Sequence, residues 1–178
     1  MVHWARKVMD ERTAVLVSAL NIPALDALEV SGAGWINHPW RTYRIANYPD
    51  FDICRDVIED ATFDIILAEQ VLEHVPYPYR AVRNMRRMLR PRGYLLLTLP
   101  FMLRLHEGPL DCTRWSPDGL RFFLEECGFD RTQMLVESWG NRACVVANFD
   151  DWPDYDPARH SLHNEPDMPV VVWAFAAK

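Results

Sequence analysis

The sequence lacks long hydrophobic runs and closely paired cysteines. No stretch approaches the ~18–20 consecutive apolar residues of a transmembrane helix, so we expect no membrane span. The four cysteines, at positions 54, 112, 127 and 144, are widely spaced and form no C-x-x-C pair. This spacing favours reduced thiols over a disulfide or zinc framework. The N-terminus is charged and shows no signal-peptide cleavage pattern, so we expect a cytoplasmic protein.

Positive charge is also scarce. Nineteen Lys and Arg residues face 25 Asp and Glu residues, which gives a formal net charge of −6. An acidic protein has no general attraction for a phosphate backbone, so nucleic acid is a poor candidate partner. The arginine-rich segment 80–92 is interpreted as the solvated face of a helix. With 178 residues and 49% hydrophobic content, the chain suits one soluble domain.

The central segment, residues 63–99, predicts a strand, a helix and a second strand. Phe63–Ala68 is a short apolar run, and residues 94–99 form another. Between them, residues 79–89 carry apolar side chains on one helical face and arginines on the other. Residues 90–93 contain Pro and Gly, which end the helix. Two buried strands joined by an amphipathic helix predict a right-handed crossover in a parallel sheet.

This segment resembles the fourth-to-fifth-strand region of class I S-adenosylmethionine (SAM) dependent methyltransferases. The resemblance lies in Phe63-Asp64, in the Leu-Glu-His turn at 72–74, and in the Leu-Arg-Pro-Arg-Gly run at 89–93. Arg92 stands where that family usually has glycine. The resemblance extends over residues 25–178. It implies a trimmed α/β Rossmann-like fold, with a mostly parallel sheet, helices on both faces and an antiparallel last strand, and it implies SAM as cofactor.

The remaining segments are assigned to a single domain over residues 1–178. Residues 1–22 predict an N-terminal helix with Trp4, Val8, Val15, Leu16 and Ala19 on its apolar side. The core spans 25–149, with further strands at 25–31, 43–48 and 132–138 and helices starting at 116 and 141. Residues 150–168 predict a surface loop rich in Pro, Asp and His, and residues 169–178 predict the last strand.

The resemblance also implies a set of cofactor-binding residues. They are Glu29, Ser31, Gly32, Gly34, Asn47, Asp52, Ile53, Ala68, Glu69 and Gln70. Gly32 and Gly34 lie one step out of phase with the family's glycine pattern, and Asn47 replaces the usual ribose-binding acid. Asp52 matches the position that contacts adenine in the family. It lies only 23 positions after Glu29, so a helix has been lost or the third strand is vestigial.

The catalytic candidates lie in the segment that follows the second central strand. They are His106, Asp111 and Arg114. His106 is the first choice for a general base, because imidazole titrates near neutral pH. Asp111 would orient it or bind substrate, and Arg114 would bind an anionic group or hold Asp111. The alternative is a structural Asp111–Arg114 ion pair beside an exposed His106. We expect no metal, because the sequence contains no His-x-x-x-His or similar local spacing.

The predicted function is methyl transfer from SAM to an oxygen or nitrogen of a small-molecule or carrier-bound metabolite. There is little room for a substrate cap, which favours a shallow site or one completed by a second copy in a homodimer. A competing hypothesis is a degenerate, non-catalytic binding module. A dinucleotide-dependent oxidoreductase is disfavoured, because the loop after the first strand lacks the Gly-x-Gly-x-x-Gly spacing.

Overall fold

The computed structural model describes residues 2–106, 108 and 110–178. Within these residues the chain forms six strands and four α-helices. The helices are α1 (Lys7–Ser18), α2 (Pro78–Met88), α3 (Pro117–Glu126) and α4 (Arg142–Asp150). The strands are β1 (Asp26–Val30), β2 (Thr42–Ala46), β3 (Phe63–Glu69), β4 (Leu89–Pro100), β5 (Met134–Trp139) and β6 (Val171–Ala177). None of the described helices is long and apolar enough to cross a membrane.

The strands form one sheet in the order β2-β1-β3-β4-β6-β5. The first four are parallel, whereas β6 runs antiparallel to both of its neighbours. Leu28 of β1 pairs with Ile66 of β3, and Ile66 pairs in turn with Leu95 of β4. All three side chains are fully buried, as expected for a parallel sheet covered on both faces. The predicted Rossmann-like fold class is therefore confirmed.

Successive side chains of β3 alternate between two apolar layers. Ile66 and Ala68 join the layer formed with α2 and α3, whereas Ile65 and Leu67 pack on the opposite face with Val17 of α1. Helix α2 buries Ala81, Val82, Met85 and Met88, the stripe expected from its sequence. Helices therefore cover both faces of the sheet.

The N-terminal helix only partly follows the predicted apolar side: Trp4 is buried and Val8 and Leu16 pack against the core, but the fully buried stripe of α1 is a different one. Its buried side chains are Met9, Thr13 and Val17, spaced four residues apart, while Val15 is exposed. The Thr13 hydroxyl donates a hydrogen bond to the Met9 carbonyl at 3.0 Å. Because that polar group is satisfied within the helix, threonine can lie in the buried stripe. An apolar-residue count could not have identified it.

Most predicted bounds of helices and strands agree with the structure within two residues. The exception is residues 90–93, which were predicted to form a break between the central helix and the next strand. The chain leaves α2 directly into β4 at Leu89, so these residues belong to the strand. Arg92 has a φ of 66° there. Residues 151–168 contain no helix or strand, so the predicted 150–168 loop agrees with the structure except at Asp150, which ends α4. Trp4 and Trp139 hold it by donating indole hydrogen bonds to the carbonyls of Ser161 and Leu162.

The fold is shorter than a full class I methyltransferase domain in the connections between β1, β2 and β3. Residues 31–41 join β1 to β2 through turns, and residues 47–62 join β2 to β3 through turns, with no α-helix in either connection. Strand β2 consequently forms an edge of the sheet. The third strand of a fuller domain is missing from this region, which explains the short spacing between Glu29 and Asp52.

We predict that Gly140→Ala destabilises the fold. An added Cβ would overlap the backbone of Met168 and Val170, where the long loop rejoins the sheet. Overpacking against backbone costs about 1–3 kcal/mol or more. Urea unfolding measures the loss. Gly34→Ala is the control, because its Cβ would meet its nearest atoms at an ordinary 3.6 Å; equal stability losses in the two variants would contradict the prediction.

Candidate active site

A cavity of about 650 Å³ opens at the carboxyl ends of β1 and β3. It is lined by residues 30–31, 48, 51–54, 70–71, 74–77, 108 and 110. A smaller cavity of about 280 Å³ shares Ser31 and Tyr48 with it and adds Gly32 and Asn47. Open α/β sheets bind ligands at this edge, and pockets of ~300–1,000 Å³ hold small molecules. These neighbouring cavities are therefore the candidate active site.

Six of the ten predicted cofactor residues line these cavities. They are Ser31, Gly32, Asn47, Asp52, Ile53 and Gln70. The other four, Glu29, Gly34, Ala68 and Glu69, line neither. The predicted positions thus converge at one edge of the sheet, although the strand alternation directs some side chains away from it.

Ser31 and Gln70 share an unusual backbone conformation at the cavity. Each directly follows a strand, and their φ values are 57° and 54°. Non-glycine residues rarely adopt this left-handed region. The Ser31 N–H donates to the Ala46 carbonyl at 3.0 Å, and the Gln70 N–H donates to the Thr98 carbonyl at 2.9 Å. Neighbouring strands therefore hold both residues in conformations of a kind that cluster at functional sites.

The Glu29 carboxylate holds the loop after β1 from behind. It is buried and accepts hydrogen bonds from the Gly34 N–H at 2.8 Å, the Trp35 N–H at 3.0 Å and the Tyr43 hydroxyl. Burial, together with the Glu29 carboxylate, raises the pKa of Tyr43. A Cβ at position 32 would overlap the same carboxylate. Glycine at position 32 therefore avoids a clash with this carboxylate. Because the Glu29 oxygens are engaged with the loop, a direct contact between Glu29 and a cofactor stays a prediction.

Ala68 and Glu69 face away from the cavities. Ala68 is enclosed in the apolar layer beneath α2. The Glu69 carboxylate lies 3.8 Å from the guanidinium of Arg6, which precedes α1. Burial raises the pKa of Glu69. The structure therefore gives these two residues packing and ion-pair contacts.

The segment that contains Asp52 and Ile53 is fixed from both sides. One Asp52 carboxylate oxygen accepts from the Cys54 N–H at 2.9 Å, and the Asp52 N–H donates to the Asp56 carboxylate at 2.8 Å. The Ile53 carbonyl accepts from the side-chain amide of Asn84 on α2 at 2.8 Å. An acid and an apolar side chain are thus presented to the cavity without a third strand.

These groups fit the cofactor that the resemblance implies. A carboxylate can accept from an amine or a hydroxyl, and Ile53, Phe51 and Val71 offer apolar surface to a planar base. Asn47 lines the adjoining cavity, where it can both donate to and accept from hydroxyl groups. The side chains around the cavity therefore suit an adenosine moiety.

The loop after β4 is fastened to the Leu-Glu-His turn. The Cys112 N–H donates to the Glu73 carbonyl at 2.6 Å, and the Thr113 hydroxyl donates to the Leu72 carbonyl at 3.2 Å. The His74 Nδ1 lies 2.5 Å from the Leu110 carbonyl. These contacts bring the rings of His74 and His106 to a centroid distance of 5.0 Å.

The predicted catalytic residues His106, Asp111 and Arg114 lie together. Arg114 makes a bidentate pair with the Asp111 carboxylate, which also accepts from the His106 backbone N–H at 2.9 Å. The pair with Arg114 lowers the pKa of Asp111. Burial lowers the pKa of His106. Of the two histidines, His74 lines the cavity, while His106 lies behind it. Asp111 and Arg114 therefore brace the loop that holds His106.

Glu73 is a site residue for which the sequence analysis predicted no role. Its side chain is fully buried, and neither carboxylate oxygen has a hydrogen-bond partner among the described residues. Burial raises its pKa to about 7. The available signal was its place in the Leu-Glu-His turn, since a buried acid beside a histidine is a chemically expensive arrangement.

We predict that Glu29→Gln lowers the free energy of unfolding by about 1–3 kcal/mol. Gly34 and Trp35 donate to different carboxylate oxygens, so the amide keeps one acceptor oxygen and directs its NH₂ group at the N–H donor of the other residue. Denaturant unfolding monitored by fluorescence measures the loss. Tyr43→Phe removes one of the three donors and should cost less; a larger loss in Tyr43→Phe would contradict the assignment of Glu29 as the centre of the loop.

The chain matches known methyltransferases in sequence and in fold. A family model described as a methyltransferase domain matches residues 37–97, whereas no curated protein sequence matches. A SAM-dependent methyltransferase from Thermotoga maritima, described as a possible histamine N-methyltransferase, is 14% identical with a TM-score of 0.62. That match covers 98% of each chain.

Two further solved structures share the fold. Phosphoethanolamine N-methyltransferase 2 from Haemonchus contortus, solved with SAM, is 12% identical with a TM-score of 0.63. The match covers 95% of this chain and 52% of that one. The (4+2)-cyclase SpnF is 17% identical with a TM-score of 0.60, and the match covers 94% and 80% of the two chains. Residues 37–97 therefore match a methyltransferase domain, and the sheet with its cavity at the strand ends has the fold of SAM-dependent methyltransferases.

Proposed function

We propose that the chain transfers the methyl group of SAM to an oxygen or nitrogen of a small-molecule or carrier-bound acceptor. The observation that carries this proposal is the pair of adjoining cavities at the ends of β1 and β3. They combine Ser31, Asp52 and Gln70 with an apolar wall. Bound SAM supplies a methyl group already activated on a sulfonium. The protein's own contribution is therefore mainly to bind and align the two reactants.

The cofactor half of the proposed site lies between β1 and the 47–54 segment. Asp52 and Asn47 would accept hydrogen bonds from polar groups of the adenosine, and Ile53 and Val71 would pack against its base. The left-handed Ser31 and Gln70 bring backbone close to the ligand. These assignments rest on which residues line the cavities.

The acceptor half of the proposed site lies toward the Leu-Glu-His turn. His74, Tyr77 and Leu110 line the large cavity there. Tyr77 and Tyr48 are more than half exposed, so aromatic side chains border an open entrance. An open entrance suits a small acceptor or one presented on a carrier, and a second copy of the chain in a homodimer would also cover it.

A hydroxyl acceptor has to lose its proton during transfer. His106 was predicted as the base, and it lies beside Glu73 and His74 rather than on the cavity wall. We therefore assign the proton-accepting or hydroxyl-activating role to the neighbourhood of these three side chains. Asp111 and Arg114 act as positioning residues, because they fix the loop that carries His106.

A non-catalytic binding module is the second candidate. Asn47 replaces the usual ribose-binding acid, and Gly32 serves the Glu29 contact instead of the family's glycine pattern. A module of this kind would not require the buried Glu73 carboxylate, whose isolation weakens the fold.

Calorimetric titration with SAM and S-adenosylhomocysteine tests the proposal. We expect both to bind in the micromolar range, and Asp52→Asn to weaken binding by about 10-fold or more through loss of a charge-assisted hydrogen bond. Asp118→Asn, on the exposed start of α3, is the control with the same charge change. An absence of binding at millimolar ligand would overturn the proposal, and unchanged affinity in Asp52→Asn would reject its assigned role.

A further inference from the structure

Three potential metal-ligating atoms converge beside the large cavity. The Glu73 Oε1 lies 3.7 Å from the His74 Nε2 and 3.9 Å from the His106 Nε2. Each side chain offers one ligand atom, and these atoms lie within 4.8 Å of one another. We propose that Glu73, His74 and His106 bind one divalent transition-metal ion, such as Zn²⁺ or Mn²⁺, at the acceptor end of the active site.

The state of Glu73 is the first argument. A buried carboxylate is normally paired or accepts several hydrogen bonds, because its desolvation is otherwise costly. Here the side chain has no exposed surface, and both oxygens lack a donor among the described residues. The nearby Arg114 guanidinium is engaged with Asp111. A cation bound between Glu73 and the two imidazoles would compensate the buried charge.

The tautomer of His74 is the second argument. Its Nδ1 lies 2.5 Å from the Leu110 carbonyl oxygen. A carbonyl can only accept, so Nδ1 carries the hydrogen. In the neutral ring, Nε2 then presents a lone pair toward Glu73. Metal-ligating histidines are oriented in this way, with the second ring nitrogen donating to a carbonyl or a carboxylate.

The His106 ring also has polar neighbours at its Nδ1 atom. Its Nδ1 lies 3.4 Å from the Asp111 Oδ2 and 3.4 Å from an Arg114 nitrogen. The guanidinium can only donate, so in its contact with Arg114 the His106 Nδ1 accepts and Nε2 carries the hydrogen. Metal binding requires the other tautomer, in which Nδ1 donates to the Asp111 carboxylate and Nε2 presents a lone pair toward Glu73. A carboxylate behind an imidazole is a common outer partner of a metal-bound histidine. The Asp111–Arg114 pair then serves to fix the ring for binding.

The donor set indicates the class of metal. Two imidazoles and one carboxylate are typical of zinc and of other first-row transition metals, which they hold at about 2.0–2.2 Å. Ligand atoms at that radius lie roughly 3–4 Å apart. The two separations from the Glu73 Oε1, 3.7 and 3.9 Å, fall in this range, and all three ligand atoms lie within 4.8 Å of one another.

The remaining positions around such an ion would face the cavity. The His74 and His106 side chains are about one fifth exposed, at 21% and 22%, and His74 lines the cavity wall. This further step rests on the proposed function: an acceptor oxygen would complete the coordination, and the ion would lower the pKa of its hydroxyl. His106 would then act as a ligand and not as the base.

Direct metal binding by the full chain is the test. The purified protein is treated with EDTA, desalted and titrated with Co²⁺ while visible absorption is recorded, and Zn²⁺ competition follows. We expect one equivalent to bind, with new absorption bands and an increase in melting temperature on adding Zn²⁺. Glu73→Gln, His74→Ala and His106→Ala should each weaken binding by roughly tenfold or more.

His163→Ala is the matched control, because this histidine is exposed and outside the cluster. It should bind Co²⁺ as the unmodified chain does. Circular dichroism checks that each variant folds, and Glu73→Gln keeps the size of the buried side chain. An absence of saturable binding, or binding that survives both Glu73→Gln and His106→Ala in folded protein, would overturn the proposal.

Calorimetry with SAM separates this proposal from the proposed function. Co²⁺ binding without SAM binding would retain the metal site and reject methyl transfer. SAM binding without Co²⁺ binding would do the reverse. If both bind, loss of methyl transfer in EDTA and its recovery with added metal would support the coordination of an acceptor oxygen, whereas full activity in EDTA would reject that step.

Discussion

The buried Glu29 carboxylate accepts hydrogen bonds from the loop after β1. The cavity edge at the carboxyl end of β1 depends on these hydrogen bonds. A fuller domain covers this region with a helix, and here residues 31–41 do so with turns alone. One carboxylate gathers two backbone N–H groups and the Tyr43 hydroxyl. Trp35 can then pack against Val17 and Leu67 on the sheet. The same contact leaves Ser31 at the mouth of the cavity, so the loop retains a ligand-binding edge without a helix.

The second half of the site depends on the fastening of one loop to one turn. Backbone and hydroxyl hydrogen bonds tie residues 112–113 to Leu72 and Glu73, and Leu110 lies against His74. The loop thereby encloses the Glu73 carboxylate and brings His106 to it from far along the chain. The Asp111–Arg114 pair is mostly buried, and the Asp111 carboxylate also accepts from the His106 backbone N–H, so this pair positions the start of the His106 segment.

Both halves use buried carboxylates, but in opposite ways. Glu29 is fully engaged with donors and therefore stabilises its surroundings, as buried acids normally do. Glu73 has no donor among the described residues, so its burial weakens the fold unless a proton or a cation accompanies it. Features that reduce stability concentrate at functional sites. Glu29 therefore has a structural role in the site, whereas Glu73 is available to bind a proton or a cation.

Local sequence patterns were sufficient to predict the layered fold. The apolar runs of β3 and β4, the stripe on α2 and the predicted helix start at residue 116 are local patterns, and each led to the correct element. The resemblance also predicted Ser31, Asp52 and Gln70 as cofactor residues, and all three line the large cavity. The directions in which side chains point at the carboxyl-terminal edge of the sheet became visible only in the three-dimensional structure. Glu29 and Glu69 turn away from it, Thr13 replaces a predicted apolar residue in α1, and Glu73 joins His74 and His106. These outcomes depend on contacts between segments far apart in the chain, and local residue spacing carries no information about such contacts.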